Sequence, residues 1–297
     1  MSAETVPVDE KAAQRGFLYA LAAYLLWGVM PFYMKAVAHI PAIEVVAHRA
    51  VWSVPVAGWL GRTSDIRRAL RTPRTLVMGL LTAALISVNW CVYVWAIAVD
   101  RALETALGYY INPLFSIFLG AVLLGEKLTR GQLAAISLAV LAVVILTWEN
   151  GGLPWVSIVL PVSWGFYALF KKTLPIGPAQ GFFLEVIILA LPALGYIVWA
   201  QASGNGHFGD QGMGDVWLLM LSGPLTAVPL ILFANGAKLL QLSTIGIMQY
   251  IPPTLFFLGA VFAFREPFSR TTAVAFALIW AGLALYSWSM LSGRSRN

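Results

Sequence analysis

The second half of this chain reads as a copy of the first. Slid by 140 positions without gaps, residues 103–148 lie on 243–288. Tyr110 falls on Tyr250, Ile111 on Ile251, Pro113 on Pro253, Glu126 on Glu266, Arg130 on Arg270 and Trp148 on Trp288. Earlier in each half the offset is 137. It sets Trp27-Gly28 on Trp164-Gly165, Lys35 on Lys172, Pro55 on Pro192 and Gly58 on Gly195. The identities are sparse, and their constant offset over most of the chain carries the reading. Such a chain builds one unit twice, and it must do so away from water. Of its 297 residues 60% are hydrophobic and 11% charged, against about 25% charged in a soluble domain. The mean hydropathy is +0.79. A duplicated, strongly apolar chain is the expected signature of a membrane transporter made of two repeats.

A membrane-spanning helix needs roughly 20 mostly apolar residues. Ten such segments are read, at about 16–38, 44–61, 76–98, 103–124, 131–149, 153–172, 181–201, 216–238, 243–264 and 272–291. The expected fold is all-α, with ten transmembrane helices in two inverted five-helix repeats. The first repeat takes residues 16–149 and the second 150–291, between cytoplasmic tails at 1–15 and 292–297. Orientation follows from lysine and arginine, which concentrate in cytoplasmic loops. With the N-terminus in the cytoplasm, the inner side holds Lys11, Arg15, Arg62, Arg67, Arg68, Arg71, Arg74, Lys127, Arg130, Lys171, Lys172, Lys238, Arg294 and Arg296. The outer side holds Arg101, Arg265 and Arg270. An odd number of helices per repeat then makes the second repeat enter from the opposite side. Inverted repeats can exchange conformations, which is the basis of alternating access.

Other classes lack their signatures. The single cysteine, Cys91, permits no intramolecular disulfide. The polar N-terminus has no apolar core of a signal peptide. His39, His48 and His207 are the three histidines and show no HExxH spacing, and neither a P-loop nor Gly-x-Ser-x-Gly occurs. No enzyme, metal site, cofactor, nucleic-acid partner or obligate protein partner is expected. The basic residues are already explained by topology.

Several strings carry a family resemblance: Trp27-Gly28-Val29-Met30-Pro31, the run from Glu44 to Arg49, Asn89-Trp90, Leu107-Gly108-Tyr109-Tyr110-Ile111-Asn112-Pro113, Gly223-Pro224-Leu225-Thr226, and Gln249-Tyr250-Ile251-Pro252-Pro253-Thr254. In these the chain resembles the drug/metabolite transporter superfamily, within it the RarD-like branch of EamA-type permeases. The related YddG-type proteins export amino acids, including aromatic ones. The resemblance covers about residues 16–290. It implies a ten-helix transporter of the bacterial inner membrane that exports amino acids, drugs or other small metabolites. It also has one departure: Gly125-Glu126 becomes Arg265-Glu266 in the second copy.

Polar side chains within spans are costly and are functional candidates by default. His48 and Arg49 fall about one turn inside the outer end of the second segment. Arg49 suits a carboxylate clamp, or a structural bond to a neighbouring helix. Glu185, aligned with His48, is a possible proton or amine site near the inner end, or sits in interfacial water. Tyr24, Trp27, Asn89, Trp90, Tyr93, Trp95, Tyr109, Tyr110, Trp164, Tyr167 and Tyr250 form a wider polar and aromatic set. Of these Asn89, Trp90, Tyr93, Tyr109, Trp164, Tyr167 and Tyr250 are expected, with His48 and Arg49, to bind substrate. Trp59, Trp199, Trp217 and Trp288 near segment ends read as interfacial anchors, and Lys35 and Lys172 as terminal anchors. Pro113, Pro252 and Pro253 fall inside the fourth and ninth segments, where proline removes a helical hydrogen bond and kinks the axis. They are expected to serve as hinges or gates, the alternative being a static bend. The expected function is amino-acid export by alternating access through a central cavity. The alternatives are export of drugs or other metabolites and, from another class, a passive channel or membrane scaffold.

Overall fold

A computed structural model of the chain describes residues 10–60, 71–125, 128–209, 212–237, 239–240, 244–245 and 248–294. The expectations placed on Arg62, Arg67, Arg68, Glu126, Lys127, Lys238 and Arg296, and on the side chains of Lys172 and Arg294, lie outside what it describes. Among the described residues there is no strand. The helices are α1 Glu10–Gly28, α2 Met30–Ala36, α3 Ala42–Leu60, α4 Pro73–Ala98, α5 Ala102–Leu124, α6 Arg130–Asn150, α7 Trp155–Thr173, α8 Pro178–Ala202, α9 Met213–Ala237, α10 Ile251–Leu258 and α11 Arg270–Arg294. Seven helical stretches, α1 and α2 counting as one, are long and apolar enough to cross a membrane. The stretches Trp155–Lys171 and Ile251–Ala263 are apolar but shorter.

The helices depart from the ten sequence segments at two places. The first segment starts earlier, at Glu10, and breaks at Val29. Pro31 stands in the first turn of α2, and its missing N–H removes a bond to the preceding turn. The ninth segment is not one helix. Pro252 and Pro253 stand in the first turn of α10, where proline is tolerated because those N–H groups have no helical partner. The expected kink inside a continuous ninth helix is therefore corrected. The irregularity comes later instead, as a π turn over Gly259–Ala263, where the Phe264 N–H bonds the Gly259 carbonyl at 2.9 Å. Pro113 does lie inside its helix, α5.

Packing joins the two halves throughout. α3 lies against α8 and α9, α7 against α4 and α5, α1 against α9 and α10, and α6 against α11. The α6–α11 seam is made of small residues: a Cβ on Gly282 would stand 3.0 Å from the Ala135 carbonyl oxygen. Without water to drive helices together, such close backbone approach is how helices associate in a bilayer. Trp59, Trp199, Trp217 and Trp288 are all exposed, as interfacial anchors require.

Three pairs of local features recur at the offsets of the sequence repeat. A Cβ on Gly28 would meet Leu255 on α10 at 2.2 Å, and one on Gly165 would meet Phe115 on α5 at 2.6 Å. An offset of 137 carries Gly28 to Gly165, and 140 carries Phe115 to Leu255. The helices that end each half start from matched caps. Thr129 Oγ1 accepts from the Gln132 N–H at 3.2 Å, and Ser269 Oγ accepts from the Thr272 N–H at 3.0 Å. Finally, Gly125 has φ 67° and its counterpart Arg265 has φ 56°. The left-handed turn survives replacement of its glycine, although a side chain there costs about 1–2 kcal/mol.

Candidate functional site

Arg49 stands about two turns into α3, at 3.6 residues per turn, and is 6% exposed. Its Nε donates to Thr226 Oγ1 of α9 at 2.6 Å. Its guanidinium carbon lies 4.4 Å from the centroid of the Trp90 ring on α4, a cation–π arrangement that offsets part of the desolvation of the charge. Nη1 is buried and has no hydrogen-bond partner among the described residues. Tyr33, Tyr93, Tyr109 and Cys91 lie within electrostatic reach of the guanidinium. The Tyr93 hydroxyl is also buried and unpartnered. Tyr93 and Tyr109 meet edge to face at 5.9 Å, and Phe256 of α10 stacks on Tyr93 at 5.8 Å. Side chains from both halves of the chain thus gather around one cation.

His48, the next residue, belongs to a different contact. Its Nδ1 accepts from the Trp52 indole at 3.2 Å, and its ring stacks on Phe208 at 4.8 Å. An indole only donates, so a neutral His48 carries its proton on Nε2, which is buried without a partner. Phe208 reaches it from the connection between α8 and α9. That connection is strapped down by Glu44, whose carboxylate accepts from the His207 N–H at 2.7 Å and holds His207 Nδ1 at 2.8 Å. A parallel tie joins His39 Nε2 to Asp215 at 2.9 Å.

Glu185 also stands about two turns into its helix, α8, and is 1% exposed. It is buried among protein side chains. Its Oε1 accepts from Lys171 Nζ at 2.6 Å and its Oε2 from the Tyr167 hydroxyl at 3.1 Å. Trp164 packs against Tyr167 at 5.5 Å, so these two aromatics join the Glu185 group. Lys171, placed on the inner side by the basic-residue bias, is the partner of this buried acid. A Cβ on Gly181 would come within 3.0 Å of Lys171 Nζ, so that glycine leaves room for the ammonium group.

The other expected residues are placed as follows. Asn89 donates to the Leu160 carbonyl at 3.0 Å and to Ser163 Oγ at 2.9 Å, tying α4 to α7. The Tyr109 hydroxyl reaches its Oδ1 at 3.5 Å, so the amide is fully engaged. Tyr250 precedes α10 and lies beside Tyr286 of α11. Lys35 pairs with Asp100 and with the Ile97 carbonyl. Tyr24 and Trp27 pack with Phe233 of α9, Trp95 with Trp155, and Tyr110 with Phe276.

One further acid bridges the halves. Glu266 accepts from the N–H groups of Ala102 and Leu103, at 2.6 and 2.8 Å, at the start of α5. Burial raises its carboxyl above the usual carboxylate range, against the opposing pull of those two donors.

Comparison with known proteins gives this arrangement a family. The model of the EamA-like transporter family matches residues 14–148. A protein of Streptomyces exfoliatus named "Protein RarD" is 39% identical, over 97% of this chain and 93% of that protein. "Uncharacterized transporter YojE" of Bacillus subtilis (strain 168) is also 39% identical, over 94% of this chain and 95% of that protein. A solved crystal structure, 22% identical, shares the fold with a TM-score of 0.57, over 97% of this chain and 99% of its own. The chain belongs to the EamA-type permeases of the drug/metabolite transporter superfamily, in the RarD-like branch. It is a multi-pass membrane transporter for a small molecule, and not an enzyme.

Proposed function

We propose that this chain exports amino acids across the bacterial inner membrane, with broad specificity that extends to aromatic ones. It works by alternating access between two inverted five-helix repeats, with ten membrane crossings and both termini in the cytoplasm. The observation that carries the reading is Arg49, a buried cation with a free Nη1 and an aromatic surround at the seam between the halves. An arginine at the centre of a span costs roughly 2.5–3.5 kcal/mol on insertion scales. Its planar fork suits a carboxylate, and Trp90, Tyr93, Tyr109 and Phe256 offer an apolar surface for a side chain. The recurrence of the Gly28 and Gly165 contacts, of the Thr129 and Ser269 caps and of the left-handed turns at the repeat offset supports two equivalent units. The basic bias supports the orientation. Pro113 and the π turn at Gly259–Ala263 are the points where the fourth and ninth segments flex, with Pro252 and Pro253 fixing where α10 begins.

Binding to the purified protein tests the cargo. A ligand that binds only the folded state at about 100 times its Kd stabilises it by roughly 2.7 kcal/mol. Amino acids at millimolar concentration are expected to raise Tm in the wild type and not in Arg49→Gln. A full panel of amino acids with no effect on a folded wild type would contradict the cargo.

A further inference from the structure

The charges inside the molecule do not balance in the way a zwitterion would need. Three buried acids stand among the described residues: Glu44, Glu185 and Glu266. Each is already satisfied. Glu44 is held by His207, Glu185 by Lys171 and Tyr167, and Glu266 by two backbone N–H groups. Arg49 is left, among the described residues, as a buried cation with no carboxylate in ion-pair range.

Two free polar groups stand there: Arg49 Nη1, which can only donate, and the Tyr93 hydroxyl, which can donate or accept but carries no charge. The surrounding titratable groups are tyrosines and a cysteine, which are ordinarily neutral. The face of Trp90 is already occupied by the guanidinium. An amino acid bound by its carboxylate would bring its ammonium beside the guanidinium, with no acid to receive it. The ammonium therefore gains no ion pair there, and a carboxylate without one loses nothing.

We propose that the Arg49 site recognises a monoanion, a carboxylate on an apolar or aromatic body, and gains nothing from an α-ammonium group. Deaminated carboxylic acids are then substrates at least as good as the corresponding amino acids. The inference rests on the proposed transport through Arg49, and it narrows that reading to one charge type. It has a second consequence. Movement of a net anion carries current, whereas movement of a zwitterion does not.

Three radiolabelled probes with one aromatic body separate the possibilities: L-phenylalanine, 3-phenylpropanoate and phenethylamine. Their initial rates of uptake are measured in proteoliposomes of the full chain, under imposed potassium diffusion potentials. The expected result is saturable 3-phenylpropanoate uptake, with a KM lower than that of phenylalanine by about tenfold and a rate that rises when the lumen is made positive. Phenethylamine should not enter above empty liposomes. Arg49→Gln should abolish uptake of the acid, with folding verified by an unchanged thermal melt. Should that variant not fold, competition of unlabelled 3-phenylpropanoate against phenylalanine in the wild type decides instead, and no competition overturns the inference. Phenylalanine uptake without 3-phenylpropanoate uptake overturns the anion reading and leaves the proposed function standing. Entry of phenethylamine overturns it as well. Silence of all three in folded protein overturns both readings.

Discussion

Arg49 draws its neighbours from positions far away in sequence. Its hydroxyl partner Thr226 lies 177 residues on, inside a string that could be quoted from the sequence but given no role there. Residue type alone marked Arg49, Trp90 and Tyr93, because a charge or a polar aromatic within an apolar run has few reasons to exist. It could not show that Asn89 is spent on α7, or that Glu185 has found Lys171. Those facts depend on which helices touch. Arg49 also rests on shape as well as charge, since a guanidinium both stacks and forks while an ammonium does neither. Arg49→Lys is therefore expected to lower transport kcat/KM by about tenfold or more, measured as initial uptake rates. Equal rates would mean that charge alone suffices.

Glu266 gives a second residue-scale prediction. Its carboxyl is raised in the folded protein, so its contribution to stability is full below the unfolded value and is lost as pH rises through the folded one. Glu266→Gln lacks that titration. The Tm of the wild type relative to this variant should fall as pH is raised from about 4 to 8. A difference that grows with pH would show that the two N–H donors, and not burial, set the carboxyl's state.

Among the elements, the long uninterrupted helices were legible from apolar run length. The break at Val29 and the late start of α10 were less so. Both are proline effects, but proline at a helix start and proline inside a helix read alike without the backbone. The π turn at Gly259–Ala263 has no signal of this kind at all. The strap between α8 and α9 was also missed, since a loop of glycine and polar residues looks idle until His207 is seen on Glu44. It is held mainly by that carboxylate, which bonds both the N–H and the ring of His207. Losing a hydrogen bond to a charged group costs about 1.5–3 kcal/mol. Glu44→Ala should accordingly speed amide hydrogen exchange over residues 203–209 by about tenfold or more, with α6 and α11 unaffected. Unchanged exchange would place the hold elsewhere, for instance in the packing of Phe208 against His48.

At the scale of the whole molecule, two close contacts stand at the sequence offsets of 137 and 140: Gly28 on Leu255 and Gly165 on Phe115. Each glycine of a Trp-Gly pair lets its helix close on a helix of the other half. The proposed alternation between two states needs two packings of similar energy, which a repeated interface is suited to supply. Arg49 sits where such halves meet, so exposing it first to one side and then to the other is how this fold would move cargo. Counterflow tests this most directly. Proteoliposomes holding the wild-type chain are loaded with unlabelled amino acid, and entry of labelled amino acid is followed against liposomes loaded with buffer. Alternating access around Arg49 predicts saturable uptake that trapped substrate accelerates and that Arg49→Gln abolishes. Uptake that never saturates, ignores trapped substrate and persists in Arg49→Gln would contradict the account and mark the chain as a passive pore.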